Sequence, residues 1–284
     1  MNTLKTLGGA LLVIVVKMAS DILASLVTSG LFLLNIPEHI CIAVMGILYL
    51  VIAMVLVKLI YGKAFKLDLK ESGVTKLSVK PAFLILAMVL PLVICGIYLL
   101  CVKGTFAMPG TGNEKMLSVL AEGIFYNSIA AAVVEEVLFR GVLMNLLMKR
   151  WNRYVAVIVP SVVFGLVHIM GMEEFNLTDC IQLVIAGTLA GIMFSVIALR
   201  TGSVWNSAIV HLIWNLVMVG GIFSIGNPAS ETALMTYTLD SRSFLLTGGA
   251  FGIESSVVAI AAYVIVAAAV LMTCKKTAKK AVNQ

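Results

Sequence analysis

Apolar residues fall along this chain in long uninterrupted runs, separated by short stretches where Lys, Asn, Asp and Gly gather. A helix rising about 1.5 Å per residue needs about 20 apolar residues to cross the hydrocarbon core. Eight runs fit that requirement: residues 7–34, 38–61, 82–102, 117–148, 154–171, 178–199, 203–223 and 249–273. The short alternating segments of an outer-membrane barrel are absent. No internal repeat or low-complexity linker divides the chain. The pattern therefore predicts an all-α, polytopic integral membrane protein of about eight transmembrane helices, with residues 1–284 forming one domain.

Composition strengthens this reading. Of 284 residues, 61% are hydrophobic and 12% charged, too apolar for a soluble domain or a disordered chain. The first sixteen residues resemble a signal peptide. Lys17 and Asp21 then interrupt the run, which resumes to Leu34 without a small-residue cleavage site, so it is expected to remain as a first span. The net charge of +6 reflects basic loops rather than nucleic-acid binding. With eight spans, fourteen of the 20 Lys and Arg residues fall on one face of the membrane, three on the other and three within runs. The positive-inside rule then places both termini in the cytoplasm. Short loops and high Lys usage suggest a bacterial plasma-membrane protein. Trp151, Tyr154 and Trp205 fall near the cytoplasmic boundaries, where aromatic belts form. The Lys-rich segment 62–81 reads as a solvated loop, or alternatively as a short amphipathic segment along the headgroups. The five cysteines show no metal-type spacing.

Ionisable residues within the bilayer are expensive and so mark candidate chemistry. Lys17 and Asp21 lie four apart and are expected to neutralise each other on one helix face. Glu122 and Glu254 lie near span ends and are expected to reach the surface. The fourth run carries Glu135, Glu136 and Arg140 together. Glu136 and Arg140 have the spacing of an intrahelical pair, which leaves Glu135 without a dedicated cation. Phe164 and His168 share a face of the fifth run; His211 and Asn215 share a face of the seventh. Counted from the cytoplasmic ends, Glu136, His168, His211 and Asn215 all reach similar, mid-membrane depth. Such a cavity suits water activation. A carboxylate can accept a proton from water as it attacks a carbonyl, while His and Asn N–H groups stabilise the oxyanion. Alternatively, Glu135, His168 and His211 could hold Zn²⁺ with a water in the fourth position, although the pattern is not HExxH. Trp214 is expected to pack, and Gly187 and Gly191 to permit close helix approach.

In order and spacing, Glu135-Glu136-Val137-Leu138-Phe139-Arg140, Phe164 with His168, and His211 with Asn215 resemble the EExxxR, FxxxH and HxxxN motifs of the CAAX protease and bacteriocin-processing (Abi) family of intramembrane endopeptidases. The resemblance covers residues 117–223. It implies that Glu135 activates water assisted by His168, that His211 and Asn215 stabilise the oxyanion, and that Glu136 and Arg140 hold the motif helix. The family has been described both as zinc metalloproteases and as metal-independent glutamate proteases, so zinc stays open. The implied substrate is a peptide, a prenylated terminus or a membrane protein, in peptide maturation or bacteriocin self-immunity. Two other readings use the same residues: a non-catalytic immunity or scaffold protein, and an ion-coupled transporter. No repeat of the span pattern supports the transporter. Substrate identity and oligomeric state are not legible.

Overall fold

The computed structural model describes residues 3–110, 112–172, 175–230 and 232–273. Cys274 and the tail lysines Lys275, Lys276, Lys279 and Lys280 lie outside the described residues. The chain folds as a helical bundle. Among the described residues, six helices are long and apolar enough to cross a membrane: α1 (Thr3–Leu33), α2 (Glu38–Ala64), α3 (Pro81–Cys101), α4 (Asn113–Arg150), α5 (Arg153–Gly171) and α6 (Leu177–Thr201). Two further apolar helices, α7 (Val204–Met218) and α8 (Val257–Thr273), are shorter.

Local chemistry sets the boundaries. Pro81 opens α3, where its missing N–H leaves no helix bond unmade. The side chains of Asn152, Asn176 and Ser203 accept backbone N–H groups at the starts of α5, α6 and α7. Gly202 ends α6 in the left-handed conformation at φ 70°, turning the chain directly into α7.

Two expected spans are shorter than the sequence suggested. The run 203–223 leaves its helix at Met218 and enters strand β2 (Phe223–Gly226). The run 249–273 becomes helical only at Val257, after turns in which Gly248, Gly249 and Gly252 take positive φ. The all-α expectation also omitted a small sheet. β1 (Gly104–Ala107) runs antiparallel to β3 (Met235–Leu239), and β2 runs parallel to β3, giving the order β1-β3-β2. These strands lie in the mixed-polarity loops, too short to show as alternating runs.

Packing places α4 at the centre. One apolar cluster gathers α1, α2, α4 and α5; the other gathers α3, α6, α7 and α8. The outward faces stay apolar, as at Leu11, Ile85 and Ile265, which suits contact with lipid. The expected small-residue stripe is present. A Cβ on Gly187 would lie 2.8 Å from Gly165 Cα, and one on Gly191 would lie 2.9 Å from Ser161 Cα, so α5 and α6 meet backbone to backbone.

The two ends of the bundle differ. At one end Arg150 donates to Thr3, and the 66–80 loop keeps Lys66, Lys70, Lys76 and Lys80 exposed, as a solvated loop would, while part of it tucks against the bundle. Asn145 donates to Ser72 O, Trp205 Nε1 to Thr75 O, and the backbone N–H of Lys80 to Asn206. Leu67, Ser72 and Gly73 are buried there. The opposite end carries the sheet.

Candidate active site

The candidate residues come together where α4, α5 and α7 converge. α4 contains two π-helical stretches, Glu122–Ala130 and Glu136–Leu143, and Glu135 sits just before the second. Such wide turns recur at functional sites. They also free carbonyls: Asn145 donates to both Arg140 O and Gly141 O.

Glu136 and Arg140 form the expected pair. Arg140 Nη1 lies 2.9 Å from Glu136 Oε1, with both side chains fully buried. Arg140 Nη2 donates to Gly191 O at 3.0 Å, a contact that the close α5–α6 approach makes reachable. The guanidinium also lies 4.5 Å from the Phe164 ring centre and 5.3 Å from that of Phe194. His211 Nδ1 lies 3.1 Å from the same Glu136 oxygen. Glu136 can only accept, so Nδ1 carries the hydrogen. His211 Nε2 then points toward Glu135 Oε2 at 3.9 Å, and the imidazole stacks on Phe194 with ring centres 4.6 Å apart.

Glu135 does have a cation, contrary to the sequence expectation. Lys17 of α1 places its Nζ 3.3 Å from Glu135 Oε1. Lys17 and Asp21 therefore do not close on each other. Asp21 instead accepts the Tyr126 hydroxyl at 2.8 Å. The partners lie far apart in sequence, so helical spacing favoured the wrong pairing.

His168 Nδ1 lies 2.6 Å from Phe164 O, which fixes it as the donor and leaves Nε2 as an acceptor. Asn215 Nδ2 donates to Asn127 O at 2.8 Å, leaving its second N–H and its carbonyl for other partners. Glu135, His168, His211 and Asn215 all line one cavity of about 270 Å³. His168, His211 and Asn215 thus meet Glu135, rather than Glu136, around one space. His168 begins the last turn of α5 and Asn215 lies in the last turn of α7, both toward the sheet-bearing end.

Of the residues assigned to the surface, Glu122 is exposed, whereas Glu254 lines the cavity. Trp214 is buried and packs edge-on against Tyr263, as expected, while also lining the cavity. Among the described residues, no three His, Cys, Asp or Glu side chains group as ligands for one ion. Glu135 gives one oxygen, Oε1, to the Lys17 ammonium and turns the other, Oε2, toward His211.

A helical bundle with buried acids, histidines and an amide facing one internal cavity is a setting in which water can be activated away from bulk solvent. Residues 118–217 match the family described as Type II CAAX prenyl endopeptidase Rce1-like. Over 96 residues it is 29% identical to "Putative membrane peptidase YdiL" of Bacillus subtilis (strain 168), covering 34% of this chain and 35% of that relative. The chain thus spans about a third of the length of the curated relative it matches. No solved structure matches the chain.

Proposed function

We propose that this protein is an endopeptidase that hydrolyses a peptide bond of a membrane-associated substrate within the bilayer, with Glu135 as general base. One observation carries the reading: Glu135 lines a membrane-embedded cavity with one oxygen held by Lys17 and the other toward His211, while His168 and Asn215 line the same space. Water held between Glu135 Oε2 and His168 Nε2 gives its proton to the carboxylate as its oxygen attacks the carbonyl carbon. Asn215, through its free N–H, stabilises the oxyanion, and His211 Nε2 joins it when the imidazole carries both protons. Collapse of the tetrahedral intermediate breaks the C–N bond, and the proton on Glu135 passes to the leaving amine. Glu136 and Arg140 hold His211 and α4 in place. If zinc were bound in a rearranged site, it would act as a Lewis acid; the steps above need only this chain's own residues. The distribution of lysines and the match to a Bacillus protein support a bacterial plasma membrane with both termini in the cytoplasm. Peptide maturation or bacteriocin self-immunity is the role that suits such an activity.

The test compares protein and peptide termini in cells carrying wild type or Glu135→Ala at matched abundance. New termini found only with wild type support hydrolysis and name the substrate. Identical termini, with the cellular phenotype intact in the variant, would move the protein to a non-catalytic immunity or scaffold role.

A further inference from the structure

We propose that the substrate enters as an extended, basic segment from the sheet-bearing end of the bundle, through a vestibule bordered by β2, and not from the lysine-rich end. This rests on the peptidase reading above.

A second cavity, of about 800 Å³, lies beneath the sheet and adjoins the catalytic one. The two share Asn127, Val219, Phe251 and Glu254 as lining. The vestibule forms where α7 ends: Met218 closes the helix, Gly221 turns the chain at φ 70°, and residues 217–221 line the space. The catalytic side chains fit this direction. His168 and Asn215 occupy the last turns of their helices, next to the vestibule.

The opposite end offers no such path. Between the catalytic cavity and the lysine-rich face, residues 136–147 of α4 are all buried. Beyond them the 66–80 loop is bonded to Asn145, Trp205 and Asn206. None of these residues lines the catalytic cavity.

The vestibule also fits one kind of occupant. β2 borders β3 on one side only, and its residues Phe223, Ser224 and Ile225 line the space. An edge strand presents unpaired N–H and C=O groups, which an extended peptide can meet as an added strand irrespective of sequence. Proteolysis requires an extended chain at the scissile bond, so the same segment can continue past Glu254 to Glu135. The ionisable lining of the vestibule is acidic, with no Lys or Arg: exposed Glu122 supplies the charge near the mouth, and Glu254 lies at the junction. Coulomb attraction therefore selects a segment bearing Lys or Arg.

The test uses the full-length protein in membranes opened to reagent on both faces, in a background with its five cysteines replaced. Ser230→Cys and Thr232→Cys place single thiols on the exposed vestibule rim, and Lys70→Cys places one on the lysine-rich loop. Each is treated with a polyethylene-glycol maleimide, and the yield of Glu135-dependent termini is measured. Modification of either rim thiol is expected to lower that yield about tenfold or more, as access becomes limiting, while modification of Lys70→Cys leaves it unchanged. Undiminished cleavage with a modified rim, or loss only on modifying Lys70→Cys, would overturn the route. Absence of any Glu135-dependent termini in the unmodified proteins would instead refute the peptidase reading itself. The charge argument has its own readout. Glu122→Gln combined with Glu254→Gln should deplete termini flanked by Lys or Arg relative to the rest, and an unaltered cleavage profile would reject a basic segment.

Discussion

At the scale of single residues, the site depends on two cations with different tasks. Arg140 is walled in by Glu136, Gly191 O and aromatic rings, with no exposure to solvent. Removing it leaves a buried carboxylate unpaired, which costs about 3–5 kcal/mol. Arg140→Ala should therefore lower the thermal midpoint in detergent sharply and reduce accumulation. Lys17 is partly open to the cavity and touches only one oxygen of the catalytic carboxylate. Lys17→Met should accumulate normally yet slow the release of Glu135-dependent termini by about ten- to a hundredfold, because a misaligned base loses near-attack geometry. A large fall in thermal midpoint for Lys17→Met would make this ion pair structural instead. The motif residues were legible because helical spacing of four puts partners on one face. Lys17 was visible as a costly intramembrane charge, but the local Asp21 offered a sufficient partner and concealed the distant one.

The helix pair α5–α6 carries the strictest packing requirement among the elements. It positions His168 on one side and presents Gly191 O to Arg140 on the other. Gly187→Val would drive side-chain atoms into the Gly165 backbone, 2.8 Å from even an ideal Cβ. The expected destabilisation is about 1–3 kcal/mol, with activity falling further than stability as His168 is displaced; calorimetry and the termini assay on the same preparation would show it. An unchanged midpoint would mean that the two helices can part freely. The small-xxx-small spacing announced this contact in the sequence. The strands gave no such sign. Each is four or five residues long, and the pairing of β1 with β3 joins segments far apart along the chain. The early end of α7 was hidden for a related reason: Val217 to Phe223 remain apolar enough to continue the run, and only the Gly220-Gly221 pair marks the exit.

For the whole molecule, the proposed reaction draws only on side chains of the bundle. No trio of side chains converges as a ligand set among the described residues, and an ammonium already engages Glu135. Incubation of purified protein with a strong zinc chelator should leave both the thermal midpoint and the rate of cleavage within about twofold of the untreated sample. A loss restored specifically by added Zn²⁺ would require Glu135 to exchange Lys17 for the ion on activation. The membrane class was plain from the apolar runs. The difference between the two ends was not, because it depends on the 66–80 loop binding residues far along the chain.

The bridge from Lys17 to Glu135 also bears on how the chain enters the membrane. α4 has a mean hydropathy of 1.6, the lowest of the six long helices. Its middle carries three charges, Glu135, Glu136 and Arg140, each costing about 2.5–3.5 kcal/mol at the centre of an inserting segment. Arg140 lightens that load within the helix, but Glu135 needs a partner from elsewhere. Synthesis runs from the amino terminus, so α1 is already in the bilayer, with its ammonium, when α4 leaves the ribosome. The first span thus serves as an intramolecular insertion partner for the catalytic one. A glycosylation-site or protease-protection reporter placed after α4 should register integration when α1 precedes it, and substantially less when α1 is deleted or carries Lys17→Leu.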